Sequence, residues 1–245
     1  MHITVQLRRT EGRDPLYDHN FLLGSAVYHL LQEHSDEVSD VLHDSPYRSA
    51  YVLSEIHRVT GKPNESWFRV GTSNEAVAKN IEKALVPGTQ MNIGKTVFRI
   101  TGILMEEPVV RPGEYVTLSP ILLLDKKTGK SLVYDSNNYQ KILEEGINAQ
   151  IKNNLKTKGE VRLLHIEPQG VRRRTIRERI VLAQKARLLL DGPEDELRFL
   201  VNHGIGRSPS LGFGMVVGTK PWQRPFRRIK DAAVGYLTMP IGGPP

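Results

Sequence analysis

At 245 residues the chain is long enough to bury one large hydrophobic core or two small ones. Its 34 Lys plus Arg against 27 Asp plus Glu leave a formal net charge of +7, which favours a nucleic acid or another polyanion as partner. The lack of cysteine excludes disulfides, a thiol nucleophile and thiolate metal sites. Neither a secretory leader nor an apolar run of about 18 residues is visible, so a soluble cytoplasmic protein without membrane contact is expected.

The amino terminus alternates apolar and polar residues and predicts a strand over 3–9, followed by a helix over 22–33 and a shorter helical stretch over 36–43. Strands over 51–59 and 67–71, a helix over 74–85 and a strand over 96–104 complete the order β-α-β-β-α-β. That is the split βαβ, or ferredoxin-like, plan: a four-stranded antiparallel sheet backed by two helices. A turn-forming stretch over 107–113, with Pro108 and Pro112, separates it from a second half.

The second half repeats the plan with a strand over 115–124, a helix over 137–155, strands over 161–167 and 177–190, a helix over 193–202 and a strand over 215–217. The expectation is an α+β chain of two tandem ferredoxin-like (RRM-like, βαββαβ) modules, residues 1–110 and 111–218. The remainder, 219–245, has five prolines with Arg224, Arg227 and Arg228, and fits neither module. It reads as an extended or unstructured arm.

Three side chains of the first half could serve proton transfer and charge stabilisation. At about 100° per residue, Leu23, Ala26, Val27, Leu30 and Leu31 share one stripe of the first helix, and Tyr28 falls on the opposite side. His43 ends the second helical stretch just before Pro46; a helix carboxyl end favours its cation and suits it to acid-base work near neutrality. Arg48 lies five residues on and could stabilise charge on a phosphate. The plain alternatives are a surface tyrosine, a capping histidine and an Arg48–Asp44 pair. His29, His34 and His57 are further possible partners of His43.

Between the last helix and last strand runs HGIGRSPSLGFGMVV, residues 203–217. The pairs Gly204/Gly206 and Gly212/Gly214 flank a segment with Arg207, Ser208 and Ser210, a combination able to turn tightly and hold an anion. The spacing matches neither the phosphate loop of the NTPases nor the dinucleotide fingerprint, which leaves a polyanion as the expected ligand and a ligand-free corner as the alternative. No H-E-x-x-H, D-x-D or nucleophile-elbow pattern is present, and no metal or cofactor is expected. Cleavage by an RNA's own 2′-hydroxyl needs only positioning, a proton acceptor or donor and a cation, a role Tyr28, His43 and Arg48 could fill.

With these residues in view, the chain resembles the CRISPR-associated endoribonucleases that cut precursor CRISPR RNA within its repeats, members of the RAMP superfamily. The resemblance rests on GIG-RSPSL-GFG, on VTLSP over 116–120, and on SAVYHLL followed by VLHD, and runs over about 1–218. It implies tandem ferredoxin-like folds in a prokaryotic cytoplasm, metal-independent cleavage, and products ending in a 2′,3′-cyclic phosphate and a 5′-hydroxyl. It also implies His43 as general acid/base and Tyr28 as the helix tyrosine near it. Where several relatives carry a lysine, this chain has none between His43 and Lys62, and Arg48 is the nearest substitute. The implied partner is CRISPR repeat RNA, or precursor crRNA, held by Gly204, Gly206, Arg207, Ser208, Ser210, Gly212 and Gly214. The cluster Arg172, Arg173, Arg174, Arg177 and Arg179 would clamp a stem or its flank, with Lys152, Lys156 and Lys158 extending the basic surface. A non-catalytic RNA-binding subunit of a CRISPR effector complex is the alternative, and a monomer or homodimer both remain open.

Overall fold

The computed structural model describes residues 1–13, 18–34, 50–134 and 138–219. The first sheet is built from β1 (His2–Glu11), β2 (Val52–Leu53), β3 (His57–Arg58), β4 (Glu65–Gly71), β5 (Gln90–Ile93) and β6 (Thr96–Glu106), with helices α1 (Asn20–His34) and α2 (Glu75–Ala84). Its order is β2-β4-β1-β6-β5, with β3 also on β4. The central strand β1 runs antiparallel to β4, from His2 opposite Gly71 to Arg8 opposite Glu65, and antiparallel to β6 on its other side. The alternation that predicts β1 buries Ile3, Val5 and Leu7 against Leu23, Val27 and Leu31 of α1 and Val77 and Ile81 of α2. Asn74 starts α2 by accepting a hydrogen bond from the Val77 N–H at 3.1 Å.

The second sheet repeats this permutation. It comprises β7 (Gly113–Thr117), β10 (Arg162–Ile176), β11 (Arg179–Asp191) and β12 (Val216–Gly218), in the order β10-β11-β7-β12, with a small hairpin of β8 (Leu123–Leu124) and β9 (Ser131–Leu132) beside it. Helices α3 (Tyr139–Leu155) and α4 (Glu194–His203) cover one face. Tyr139, Leu143, Ile147 and Ile151, spaced three to four apart, form the stripe by which α3 enters the second core. Glu194, Asp195 and Glu196 occupy the first turn of α4, where the helix dipole favours acids. The expected α+β tandem of ferredoxin-like folds is therefore the observed one.

Four expected strands differ in extent. The strand over 51–59 is broken into β2 and β3, because Ser54 Oγ donates to the Glu55 carbonyl and Glu55 turns aside to two cations. The strand over 115–124 stops at Thr117, after which Ser119 Oγ donates to Leu53 O of the first module at 3.0 Å. The strands over 161–167 and 177–190 are one long hairpin, β10 and β11, reversing at Arg177 with φ of 55°. The hairpin passes Pro168 and Gly170 with a register shift. The helical stretch over 36–43 lies outside the described residues.

A third apolar cluster joins the modules: Val52 and Trp67 from the first meet Val116, Leu118, Met215 and Val217 from the second. Polar contacts follow the same seam. The amino terminus donates to Asn202 Oδ1 at 3.0 Å, and His2 Nε2 lies 3.1 Å from Val201 O.

Candidate nucleic-acid interface at the seam

The glycine-rich loop leaves α4 at Gly204 and is wedged against both modules. Ile205 N–H donates to Gly214 O at 2.8 Å, Gly214 N–H to Pro120 O at 2.9 Å and Arg207 N–H to Leu122 O at 2.9 Å. Gly214, at φ of 72°, comes so close to Ile205 that an added Cβ would stand 1.9 Å from its carbonyl oxygen. Gly206 and Gly214 are thus required by close packing on backbone, and Gly204 and Gly212 by the approach of the Val52 and Asn20 side chains. Gly204, Gly212 and Gly214 are buried and Gly206 half-buried. Arg207 is exposed, its guanidinium without a partner among the described residues, and Ser208 and Ser210 are half-exposed beside it. The groups that face outward are therefore the cation and the hydroxyls.

One stripe of α1 receives this loop. Asn20 Nδ2 donates to the Gly212 carbonyl, and Gly24 sits where a Cβ would be 2.8 Å from Ser210 O. Tyr28, one turn further along the same stripe, is half-buried and accepts a hydrogen bond from Gln32 Nε2 at 2.9 Å. Burial first, and then the neighbouring Tyr28, push the Tyr51 phenol up from its ordinary value. The tyrosine predicted to lie off the core stripe thus stands beside β2 and one turn from the glycine loop. His43 and Arg48 lie outside the described residues, within 35–49. Their segment joins α1 to Ala50, whose carbonyl accepts from Thr72 Oγ1 at 2.7 Å just before β2.

The arginine cluster is divided by strand alternation. Arg173, Arg177 and Arg179 are exposed at the tip of the β10–β11 hairpin and Arg172 is half-buried, whereas Arg174 is 2% exposed. Arg174 pairs with Glu55 and its Nε donates to Asn20 Oδ1 at 2.8 Å, so it ties the hairpin to the first module and is not presented to solvent. Lys185 Nζ holds the other Glu55 oxygen at 2.6 Å. Burial alone would raise the Glu55 carboxyl, but Lys185 and Arg174 outweigh it and hold the group at about 2. The resulting chain from Glu55 through Arg174 and Asn20 to Gly212 fixes the glycine loop against α1. Sequence reading missed Glu55 and Asn20, since each partner is more than a hundred residues away.

Among the other histidines, His29 is exposed, with its ring 6.2 Å from that of Tyr28. His57 stacks on Trp67 at 4.3 Å between ring centres. Although the residue as a whole is only half-buried, its Nε2 is enclosed. Burial, with Lys185 adding to it, lowers its pKa to about 3 and keeps it neutral near pH 7. His34 ends α1. Lys152, Lys156 and Lys158 are exposed at the far end of α3.

Tandem ferredoxin-like modules joined at a glycine-rich loop are the fold that this chain shares with solved Cas6 and RAMP structures. Residues 105–217 match the family described as "CRISPR associated protein Cas6, C-terminal". Among solved structures, a CRISPR-associated protein Cas6 has 19% sequence identity and a TM-score of 0.73, with 90% of this chain and 99% of that one covered. A Cas6-related gene product from Pyrococcus furiosus has 17% identity and a TM-score of 0.74, with 91% and 99% covered. A RAMP protein described as binding different RNA substrates has 18% identity and a TM-score of 0.72, with 90% and 100% covered. Among curated protein sequences none matches significantly. No described helix is long and apolar enough to cross a membrane.

Proposed function

We propose that this protein is an endoribonuclease that cuts CRISPR precursor RNA within its repeats without a metal ion. The coarser role, binding or processing CRISPR RNA, is supported by the Cas6 match over 105–217 together with the fold. The observation that carries the finer reading is the docking of the glycine loop on the Asn20–Gly24–Tyr28 stripe. It brings Ser210, three residues from the exposed Arg207, against the helix from which the His43 segment departs.

In this reading the 2′-hydroxyl of the nucleotide before the cut loses its proton and its oxygen attacks the adjacent phosphorus. The bond from phosphorus to the 5′-oxygen breaks, that oxygen takes up a proton, and a 2′,3′-cyclic phosphate and a 5′-hydroxyl result. His43 moves the proton, Arg48 stabilises the charge on the phosphorane, and Tyr28 helps to position the RNA. Arg207, Ser208 and Ser210 hold the backbone near the cut, and the exposed hairpin-tip arginines hold a stem or its flank.

His43→Ala tests this directly: repeat-RNA cleavage should fall at least about a hundredfold while binding is retained. A non-catalytic RAMP subunit is the second reading, favoured by the likeness to a RAMP protein described by its RNA binding alone. Tight binding of repeat RNA with no cleavage by the unaltered protein would support it.

A further inference from the structure

A cavity of about 300 Å³ opens at the end of the first sheet where α1 begins, lined among others by Arg9, His19, Arg58, Asn64, Ser66 and Phe98. Its polar groups are paired within the protein, with one exception. His19 Nε2 accepts from the Ile56 N–H at 2.9 Å, and Asn64 Oδ1 accepts from Arg9 at 2.7 Å. The two carboxylates in the lining are neutralised, Glu55 by Arg174 and Lys185, and Glu65 by Lys62 and Arg8. The exception is Ser66, which is 7% exposed and whose Oγ is buried with no hydrogen-bond partner among the described residues. An unpaired buried hydroxyl is costly, so its natural partner is a group that enters the cavity.

We infer that this cavity receives one unpaired nucleotide of the RNA, its base inside against Phe98 and Ser66 and its phosphate at the mouth near Arg9 and Arg58. The volume lies at the lower limit of small-molecule sites, about 300 Å³ and upward, which suits a single nucleotide and no duplex. A hydroxyl that both donates and accepts can meet the hydrogen-bonding edge of a base, and an aromatic wall accommodates its flat face. The rim is cationic and the lining carboxylates are ion-paired, so a phosphate meets no unpaired anion there. Arg207 and the exposed tip arginines Arg173, Arg177 and Arg179 do not line this cavity, and the one hairpin residue that does, Arg174, is held by Glu55. The cavity would therefore fix the register of a single-stranded flank at a point separate from them. The inference rests on the RNA-processing reading above, and the same chemistry fits a free nucleoside monophosphate.

The test is a scan in which each unpaired nucleotide of the repeat RNA is made abasic in turn and its affinity measured for the unaltered protein, Ser66→Met and Asn64→Trp. The first substitution fills the cavity; the second closes its mouth from an exposed position and guards against a folding failure of the first. One position should weaken binding to the unaltered protein roughly tenfold when abasic, and that penalty should vanish in both variants. Repeat RNA bound tightly, with either no sensitive position or the same penalty in all three proteins, overturns the cavity while leaving the RNA reading intact. If the unaltered protein binds no repeat RNA, the RNA reading fails instead. Nucleoside monophosphates are then titrated by thermal shift. Saturable stabilisation lost in Asn64→Trp assigns the cavity to free nucleotide, and no stabilisation removes the cavity too.

Discussion

Arg207 and Arg174 carry the same guanidinium in opposite surroundings, and their substitutions should be read by different instruments. Arg207 is exposed and available to a phosphate. Arg207→Ala should weaken RNA binding across sequences and lower the slope of log affinity against log salt by about one, with little change in melting temperature. An unchanged slope in binding titrations at several salt concentrations would remove Arg207 from the interface. Arg174 is buried against Glu55 and Asn20. Arg174→Ala should cost at least about 2 kcal/mol in urea denaturation, because a buried carboxylate loses one of its two cations. If stability were unaffected and only RNA binding fell, Arg174 would be a clamp residue after all.

At the scale of elements, the glycine loop makes the sharpest demand on sequence. Gly214→Ala places a Cβ 1.9 Å from Ile205 O at φ of 72°, and the loop must shift. Gly61→Ala, at φ of 78° with nothing within 4 Å, carries only the strain of the left-handed backbone. Differential scanning calorimetry should show the first losing several times the stability of the second, which costs about 1–2 kcal/mol. Equal losses would mean that the loop is not packed as described. The two βαββαβ plans were legible in the sequence because the helix stripes of Leu23–Val27–Leu31 and Tyr139–Leu143–Ile147–Ile151 and the alternation of Ile3–Val5–Leu7 are local patterns. The loop's four glycines were legible as an unusual spacing, but the reason for them was not, since Val52 against Gly204, Leu122 against Gly206, Asn20 against Gly212 and Ile205 against Gly214 meet only in the folded chain. The burial of Arg174 was not legible for a related cause: strand alternation in β10 sends it inward while Arg173 stays exposed. The expected strand ended at 167, whereas pairing with β11 carries β10 on to Ile176.

For the whole molecule, the seam between modules sets the response to pH. Burial, with Arg69 adding to it, lowers the His2 pKa to about 3, and His57 is lowered to about 3 as well. Both stay neutral in the folded protein while the unfolded chain takes up protons below about 6.5. Stability should therefore fall as pH drops from about 6.5 towards 3, by about 1.4 kcal/mol per pH unit for each histidine. The Glu55 carboxyl, held at about 2, adds stability that is full above its ordinary value of 4.5 and lost as pH falls towards 2. Urea denaturation between pH 5 and pH 7 isolates the histidines, and His57→Phe should halve the pH slope in that window. A slope unaltered by that substitution would show that His57 titrates normally.

The central claim, strand scission by the RNA's own 2′-hydroxyl in a site beside the glycine loop, is tested most directly with repeat RNA in excess EDTA. A matched set carries a single 2′-deoxy substitution before each candidate scissile phosphate. The account predicts cleavage at one position, insensitive to the chelator, leaving a 2′,3′-cyclic phosphate and abolished only by deoxy substitution at that position. Cleavage lost in EDTA, or persisting when the 2′-hydroxyl is absent, would contradict it.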